Sequence, residues 1–403
     1  MESRNHIVVV GLGVIGLPAA LLLASSNYQV IGVDINKSVI KSLKKGVLPS
    51  HIREKELQVL LKDPKVRENL QFQDIPTKAN TFIITVPTPL TKKRKKADLS
   101  FVKKALDSIR PFLKKGDLVI IESTIPPKTC RDFVIPILET NLFKVGRDIF
   151  LAHCPERVLP GNIYYEIVNN DRIIGGVNKK SSDLAEKIYK SFVKGKIYKT
   201  DDVSAELCKL MENAYRDVNI ALANEFAMVA ENLGIDPKNV INLANKHPRV
   251  NILNPGIGVG GHCIPIDPWF IYEIDPTNSR LIETSRIIND QMPYVIAKRI
   301  KSEVKNIKDP KIVIVGASYK TDTSDTRESP AAEVIKILKQ TSMGISHFDP
   351  LVDKHRYPFT LLERCSGKDL LVILVPHQVV IKELDKDEEK IRKVLSTHQI
   401  LQF

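Results

Sequence analysis

The sequence predicts an α/β protein in which two doubly wound domains are joined by a helical central domain. Three observations support this fold class: short β-branched runs that alternate with helical stretches, a second such series after Asp309-Pro310, and a long helical segment between the two series. Because 403 residues exceed what one hydrophobic core normally organises, several domains are expected. We place them at residues 1–200, 201–305 and 306–403.

The first domain contains short apolar runs with the length and composition of buried parallel strands. They are Ile7–Val10, Val30–Val33, Phe82–Val86, Leu118–Glu122 and Asp148–Ala152. In the C-terminal domain the same criteria select Lys311–Val315 and Leu370–Val375. Helix-length amphipathic segments separate the runs, which is typical of a parallel sheet covered on both faces.

A long helix is predicted between the two α/β domains, because the residues from Val203 to Leu233 include neither glycine nor proline. Asp201 and Asp202 are suitable N-caps, and Gly234 is a suitable C-terminal stop. At the usual rise per residue this helix would span about 46 Å. Such a length suits a spine between domains or a dimer interface.

The composition narrows the classes of function. The net charge is +13, but the densest basic run, Lys92–Lys96, contains no aromatic residues, so an anionic small substrate is favoured over nucleic acid. No apolar run approaches the roughly 18 residues of a membrane helix, so no membrane partner is expected. The first residues lead into a strand rather than a secretory leader, and the five cysteines have no regular spacing. We therefore expect a cytoplasmic protein.

A glycine-rich turn after the first strand predicts a dinucleotide site. Gly11-Leu-Gly13-Val14-Ile15-Gly16 opens an apolar helix, and Asp34 ends the next strand. In a Rossmann-like domain the first glycine makes the turn, the second lets the backbone approach the pyrophosphate, and the third allows close helix packing. A carboxylate at Asp34 would accept the ribose hydroxyls and repel a 2′-phosphate, so NAD is favoured over NADP.

Two further motifs follow later strands of the same sheet. They are Val86-Pro87-Thr88-Pro89 and Ser123-Thr124-Ile-Pro126. Ligands of open α/β sheets bind at the C-terminal ends of the strands. We therefore expect Pro87, Thr88 and Thr124 to lie at the cofactor site.

Cys263 is the candidate nucleophile, because four glycines at positions 256, 258, 260 and 261 precede it. Glycines at this density let a ligand or another part of the backbone approach closely. The cysteines in ordinary surroundings are interpreted as packing residues; they are Cys130, Cys208 and Cys365. His262 would point away from the thiol in an extended segment, so it is interpreted as a hydrogen-bonding scaffold residue.

Polar residues that can serve the same chemistry occur nearby and on the long helix. Asp267 follows Cys263 by four residues, and Lys209 and Asn213 are four apart on one helix face. An isolated pair of this kind is usually solvated, but this pair lies near a predicted domain junction, where clefts form. Neither His262-Cys263 nor His153-Cys154 has the spacing of a zinc site, so no metal is expected.

Together these motifs resemble the UDP-glucose/GDP-mannose dehydrogenase family over essentially the whole chain. The segments that carry the resemblance are Val86–Pro89, Ser123–Pro126, Cys154-Pro-Glu-Arg-Val-Leu-Pro-Gly161, Ala205–Lys209 with Asn213 and Asn224-Glu225, Gly258–Asp267, and Lys320 through Asp325–Pro330. The first and third domains are then expected to be Rossmann-like, and to bind NAD and a UDP-sugar respectively.

The resemblance also implies roles for individual residues. The family's catalytic cysteine falls on Cys263, and the other implied catalytic residues are Lys209, Asn213, Asp267, Thr124 and Glu156. Implied substrate-binding residues are Glu156, Arg157, Val158, Lys209, Asn213, Arg249, Gly258, Gly260 and Lys320, with Arg249 reaching across a subunit contact. Arg327 is implied to reach the cofactor.

The implied reaction is an NAD-dependent, four-electron oxidation of a sugar CH₂OH to a carboxylate through a cysteine thiohemiacetal and thioester. The sequences around Cys154 and Cys263 resemble those of the N-acetylmannosamine branch of the family, so UDP-N-acetyl-D-mannosamine is the expected substrate. UDP-N-acetylglucosamine and UDP-glucose are the alternatives. A homodimer or higher homo-oligomer that makes precursors for surface polysaccharides or glycans is expected.

Two other interpretations are open at this stage. A two-electron β-hydroxyacid dehydrogenase also pairs a dinucleotide domain with a helix bearing lysine and asparagine, but it needs neither the cysteine loop nor a third domain. A non-catalytic NAD-binding or thiol redox sensor would need Cys263 alone.

This sequence departs from the family at one position. Some sugar dehydrogenases carry a second glutamate four residues after the one that corresponds to Glu156. Here that position is Pro160, so water activation is not assigned to it.

Overall fold

The computed structural model describes residues 6–49, 52, 54–91, 95–139, 143–158, 161–352 and 360–403. The described chain divides into two compact units. The first unit comprises residues 1–212 with 273–275, and the second comprises residues 213–272 with 276–403. The α/β fold class predicted from the sequence is confirmed, with one open sheet in each unit.

An eight-stranded sheet forms the first unit, in the order β3-β2-β1-β4-β5-β6-β7-β8. Its strands are β1 His6–Val10, β2 Gln29–Val33, β3 Leu70–Gln73, β4 Thr81–Ile84, β5 Leu118–Ile121, β6 Phe150–His153, β7 Arg172–Gly176 and β8 Ile197–Asp201. All neighbouring strands are parallel except β6 and β7. Alternate residues of β1 pack on opposite faces, Ile7 and Val9 in one core and Val8 and Val10 in the other.

Short helices cover both faces of this sheet. They are α1 Gly16–Ser25, α2 Lys37–Lys44, α3 Lys55–Lys62, α4 Pro64–Asn69, α5 Ser100–Ile109, α6 Ile135–Leu138, α7 Ile163–Asn169 and α8 Lys179–Tyr189, with a 3₁₀ turn at Arg110–Phe112 and a π-helical turn at Cys130–Val134. Nine of the ten residues of α1 are buried, which fits a helix packed directly on the sheet beside the glycine turn.

The long helix is confirmed as α9, Asp202–Asn232, which starts in the first unit and ends in the second. Asp201 caps its start, since its carboxylate accepts the Ser204 N–H at 3.0 Å. Gly234 ends it with φ of 72°, and the Ile235 N–H donates to the Ala230 carbonyl at 3.0 Å. This is a Schellman ending, which glycine favours because it has no Cβ.

A four-stranded parallel sheet organises the C-terminal part of the second unit, in the order β10-β9-β11-β12. Its strands are β9 Lys311–Val315, β10 Gly344–Phe348, β11 Leu370–Ile373 and β12 Gln399–Gln402. The remaining helices of this unit are α10 Pro237–Ala244, α11 Asp267–Ile274, α12 Arg280–Glu303, α13 Pro330–Lys339, α14 Leu361–Cys365 and α15 Gln378–Val394. As in β1, alternate residues of β9 pack in two cores on opposite faces.

Several strand ends differ from the prediction. The runs Phe82–Val86, Leu118–Glu122 and Leu370–Val375 were predicted too long, because the strands end at Ile84, Ile121 and Ile373. The strand predicted at Asp148–Ala152 begins later, at Phe150. The basic run at residues 92–94 lies outside the described residues. Among the described helices, none is long and apolar enough to cross a membrane.

Candidate active site

The three glycines of the turn after β1 differ in the space around them. A Cβ added at Gly11 would lie 2.6 Å from the Thr85 carbonyl oxygen, and one at Gly16 would lie 1.9 Å from the Gly11 carbonyl oxygen. The protein's own packing therefore requires glycine at both positions. A Cβ at Gly13 would meet nothing within 4 Å. The open space beside Gly13 fits the pyrophosphate of a dinucleotide at the start of α1.

Asp34 lies at the C-terminal end of β2 and is only partly buried. Its carboxylate accepts the Leu12 N–H at 2.9 Å and the Asn36 N–H at 2.8 Å. These bonds fix the carboxylate beside the glycine turn and leave lone pairs for two ribose hydroxyls. Val14 and Ile15 are half-buried in the same turn, and the first turn of α1 carries no acidic side chain that would repel a phosphate.

The two threonine loops meet at the ends of β4 and β5. The Thr88 hydroxyl donates to the Thr124 carbonyl at 2.6 Å, and the Ser123 hydroxyl donates to the Val86 carbonyl at 2.7 Å. Pro87 lies between these contacts in sequence. The structure thus brings together the residues that the two motifs contribute to the first unit.

Glu156 follows β6 and is held by a buried arginine that the sequence analysis did not select. Arg172 donates to the Glu156 carboxylate at 2.9 Å. The next residue, Arg157, pairs with Glu212 of α9 at 2.6 Å, and Val158 packs against a small apolar cluster under α7. The prediction about Pro160 lies outside the described residues.

A second residue that the sequence analysis missed ties α9 to the Ser-Thr motif. Glu206 is fully buried and accepts the backbone N–H groups of Lys128 and Cys130, at 2.6 and 2.8 Å. Burial raises the pKa of Glu206 to about 7, although these hydrogen bonds act against the shift. Glu206 lies in the Ala205–Lys209 segment that carries the family resemblance, but its bonding partners are distant in sequence and so were not predicted.

In the second unit the glycine loop lies against the segment that follows β9. A Cβ at Gly260 would lie 2.6 Å from the Glu328 carbonyl oxygen and 2.7 Å from Pro330, and one at Gly261 would lie 2.9 Å from the Tyr319 ring. Gly258 has φ of 122°, which side chains rarely adopt. The glycines therefore let two segments of this unit approach closely.

Cys263 is exposed at the end of this loop, whereas Cys130, Cys154 and Cys365 are buried and Cys208 is half-buried. The Cys263 carbonyl accepts the Asp267 N–H at 2.9 Å, so one turn separates the thiol from the start of α11. Asp267 is buried, and its carboxylate accepts an N–H of the Asn213 amide at 2.6 Å. The second unit thus brings Cys263, Asp267 and Asn213 together.

Lys209 lies one turn before Asn213 on α9 and is nine-tenths buried. A buried lysine with this helical spacing is not a solvated surface residue. Asn224, about three turns beyond Asn213 on α9, accepts the Gly256 N–H at 2.8 Å and donates to Asn289 at 3.0 Å. The same helix therefore also supports the start of the glycine loop.

Two further predicted site residues lie in the segment after β9, and one lies after α10. Lys320 is exposed, and Arg327 forms a two-pronged pair with Asp325, whose pKa is well below its usual value because Arg327 binds it. His262 also binds Asp325, at 3.1 Å. Arg249 is exposed in the segment after α10. Within the described residues no group of three or more His, Cys, Asp or Glu side chains could hold a metal ion.

Three family models match the chain in order. They describe the NAD binding domain, the central domain and the UDP binding domain of the UDP-glucose/GDP-mannose dehydrogenase family, at residues 5–193, 203–291 and 313–402. A UDP-N-acetyl-D-mannosamine dehydrogenase from Methanococcus maripaludis is 50% identical over 95% of this chain and 88% of its own. An NDP-N-acetyl-D-galactosaminuronic acid dehydrogenase from Ralstonia nicotianae is 42% identical over 97% and 95%.

A solved structure agrees with these matches. The UDP-D-ManNAc dehydrogenase from Pyrococcus horikoshii superposes with a TM-score of 0.89 and 40% identity, covering 98% of this chain and 94% of its own. The family resemblance inferred from the sequence motifs is confirmed. The chain belongs to the UDP-glucose/GDP-mannose dehydrogenase family.

Proposed function

We propose that this protein oxidises UDP-N-acetyl-D-mannosamine to UDP-N-acetyl-D-mannosaminuronate, a precursor for surface polysaccharide or glycan synthesis. The observation that carries the proposal is the exposed Cys263 thiol one turn from the buried Asn213–Asp267 pair. The choice of sugar is supported by relatives of that name at 50% identity over nearly the whole chain.

NAD is the cofactor, and when bound it accepts a hydride from the substrate carbon in each of the two oxidations. The chain's contribution is to hold it. The space at Gly13 admits the pyrophosphate, the Asp34 carboxylate accepts the ribose hydroxyls, and Pro87, Thr88 and Thr124 line the strand ends. We also assign Arg327 to the cofactor, as the family resemblance implies.

Cys263 makes the second oxidation possible. The first oxidation yields an aldehyde, which has no further hydride to give until a nucleophile adds to its carbon. The Cys263 thiolate adds and forms a thiohemiacetal, and loss of the second hydride leaves a thioester. Water then attacks the thioester carbon, the C–S bond breaks, and the carboxylate and the Cys263 thiol are released.

The neighbours of Cys263 stabilise charge and handle protons in these steps. The Asn213 amide donates to Asp267 with one N–H, which leaves the other for a developing oxyanion. Lys209, one turn away on the same helix, supplies a positive charge, and Asp267 orients or deprotonates the attacking water. For substrate binding we assign Glu156, Arg157, Val158, Arg249, Gly258, Gly260 and Lys320.

The two rival interpretations now have less support. A β-hydroxyacid dehydrogenase removes two electrons and needs no third domain, whereas three family models cover this chain from residue 5 to residue 402. A redox sensor needs only an accessible thiol, which does not explain the buried Asn213–Asp267 pair beside it. Because one relative is named NDP-N-acetyl-D-galactosaminuronic acid dehydrogenase, a galactosamine-type sugar is included among the substrates to be tested.

The deciding experiment measures NADH formed per sugar consumed. We expect two NADH with UDP-N-acetyl-D-mannosamine and slower turnover with UDP-N-acetylglucosamine, UDP-N-acetylgalactosamine, UDP-glucose and GDP-mannose. One NADH per substrate would contradict the four-electron reaction. Cys263→Ser should lose nearly all acid production and keep NAD affinity, whereas Cys208→Ser, a half-buried thiol outside the proposed machinery, should keep both.

We further propose that the protein is a homodimer formed through one face of α9. Five large apolar side chains on this helix and one just after its last residue are exposed, and their spacing of three, four or seven residues puts them in one stripe. They are Met211, Tyr215, Leu222, Phe226, Val229 and Leu233. A contiguous exposed stripe of this kind marks a protein contact, and a second copy of the same helix offers a matching surface.

Sedimentation velocity tests the homodimer. The double variant Tyr215→Asp with Phe226→Asp should sediment as a monomer because two charges would be buried in the contact. Val59→Asp, a similar change at an exposed apolar residue of α3, is the control and should remain a dimer. A wild-type protein that is monomeric at micromolar concentration would overturn the proposal.

A further inference from the structure

A buried group of charged residues in the first unit connects two candidate catalytic loops. Arg172 at the start of β7 donates to Glu156 at 2.9 Å through one nitrogen and to Glu122 at 2.7 Å through another. Glu122 directly precedes Ser123-Thr124, and Glu156 lies in the loop after β6. The three side chains are at most one-tenth exposed.

The same arginine is fixed from its other sides. The Tyr189 hydroxyl, at the end of α8, donates to Glu122 at 2.5 Å, and the Arg172 guanidinium lies 4.0 Å from the centre of the Tyr189 ring. A guanidinium over an aromatic ring is stabilised by the ring's negative face. Arg172 is therefore held by two partners besides Glu156, the Glu122 carboxylate and the Tyr189 ring.

The charges are unequal, because one guanidinium faces two carboxylates. Burial raises the pKa of Glu122 to about 7, although Arg172 acts against this shift. The second carboxylate oxygen of Glu122 is buried without a hydrogen-bond partner among the described residues. Arg172 is thus the cation that both carboxylates share, and it links Glu122 to Glu156 directly.

We propose that Arg172 is a positioning residue for the reaction, which holds the Glu156 carboxylate in its working orientation and fixes it relative to the Thr124 loop. The inference rests on the catalytic role that the family resemblance implies for Glu156, which we adopt here in addition to its proposed contact with the substrate. Arginine is required because its planar fork reaches two carboxylates at once, whereas a lysine ammonium keeps the charge but not the fork. Displacing a catalytic group by about 1 Å can cost about a hundredfold in rate.

The test is a double-mutant cycle on kcat with Arg172→Lys and Glu156→Gln. Each single variant should lower kcat on the order of 10- to 100-fold while the Kd for NAD changes less than about twofold. If Arg172 acts through Glu156, adding Arg172→Lys to Glu156→Gln should lower kcat no further. Arg131→Lys is the matched control, since Arg131 pairs with Asp202 in the same unit without touching Glu156, and it should leave kcat unchanged.

Each outcome separates the two proposals. Full additivity in the double variant would mean that Arg172 supports the fold only, and would overturn the positioning role. An unchanged kcat in Glu156→Gln would instead overturn the catalytic role of Glu156. Tyr189→Phe keeps the ring under Arg172 and removes only the hydroxyl, so it should lower kcat by less than Arg172→Lys; a larger loss would also contradict the proposed arrangement.

Discussion

The two sheets of this protein carry an aspartate at the same place in the fold but use it differently. Asp34 ends β2 and accepts one N–H from the turn after β1, at Leu12. Asp349 follows β10 and accepts two N–H groups from the turn after β9, at Ala317 and Ser318. Asp34 is only partly buried, whereas Asp349 is fully buried.

The buried aspartate is occupied by the protein itself. Asp349 also accepts the N–H groups of Leu351 and Val352 and contacts the ring of His377 at 3.0 Å. The other ring nitrogen of His377 accepts the Asp322 N–H at 2.9 Å. The pair therefore fixes the loop that carries Lys320, and no lone pair of Asp349 is directed to solvent. An acid at this position can bind a ligand or hold a loop, and burial decides which.

The largest expected effect comes from removing the buried acid. Asp349→Ala leaves four backbone N–H groups and His377 without their acceptor, which should lower the free energy of unfolding of the second unit by about 4 kcal/mol. The chain's single tryptophan, Trp269, lies in this unit, so its fluorescence in a urea titration reports the change. Asp34→Ala is the control, and it should leave the Trp269 transition in place.

The second largest expected effect is a loss of stability when the glycine turn after β1 is changed. Gly16→Ala puts a Cβ onto the Gly11 carbonyl and should destabilise the first unit by about 3 kcal/mol. Gly13→Ala has room, so it should leave stability unchanged and weaken NAD binding at least tenfold. Far-UV circular dichroism on heating and NAD titration calorimetry separate the two results. Loss of stability in Gly13→Ala would contradict the assignment of that space to the cofactor.

The glycine turn was predictable from sequence because its parts are local, and so was Cys263 with Asp267, four residues apart. The pairing of Asp267 with Asn213 joins residues 54 positions apart, and only the family resemblance linked them. Arg172 was not predictable, since its partner Glu122 is 50 residues distant and a charged residue at the first position of a strand has no local signature. The strand end at Val375 was misplaced because the apolar residues Leu374 and Val375 continue the strand pattern into the loop.

The third effect is on cofactor choice. Asp34→Ala removes the carboxylate that we propose accepts the ribose hydroxyls and repels a 2′-phosphate, so NAD should bind about tenfold more weakly and NADP somewhat more tightly. Asp34→Asn keeps an oxygen for the Leu12 N–H and removes only the charge, so it should shift the NADP affinity with less loss of NAD affinity. An unchanged ratio of the two affinities in both variants would exclude Asp34 from the ribose site.

The smallest effect is on the pH dependence of stability. Although burial opposes it, the bonds from His377 and the backbone N–H groups hold the pKa of Asp349 well below its usual value. A carboxylate with a lower pKa in the folded state stabilises the fold above the unfolded value of about 4, and this contribution is lost as the pH falls below it. The slope for one group is at most about 1.4 kcal/mol per pH unit. The urea midpoint seen by Trp269 should therefore fall between pH 5 and pH 3 by more in the wild type than in Asp349→Asn. An equal decrease of the urea midpoint in the two proteins would mean that the carboxyl of Asp349 is as easily protonated in the folded protein as in the unfolded chain. Its ionised form would then contribute nothing to holding the loop after β9.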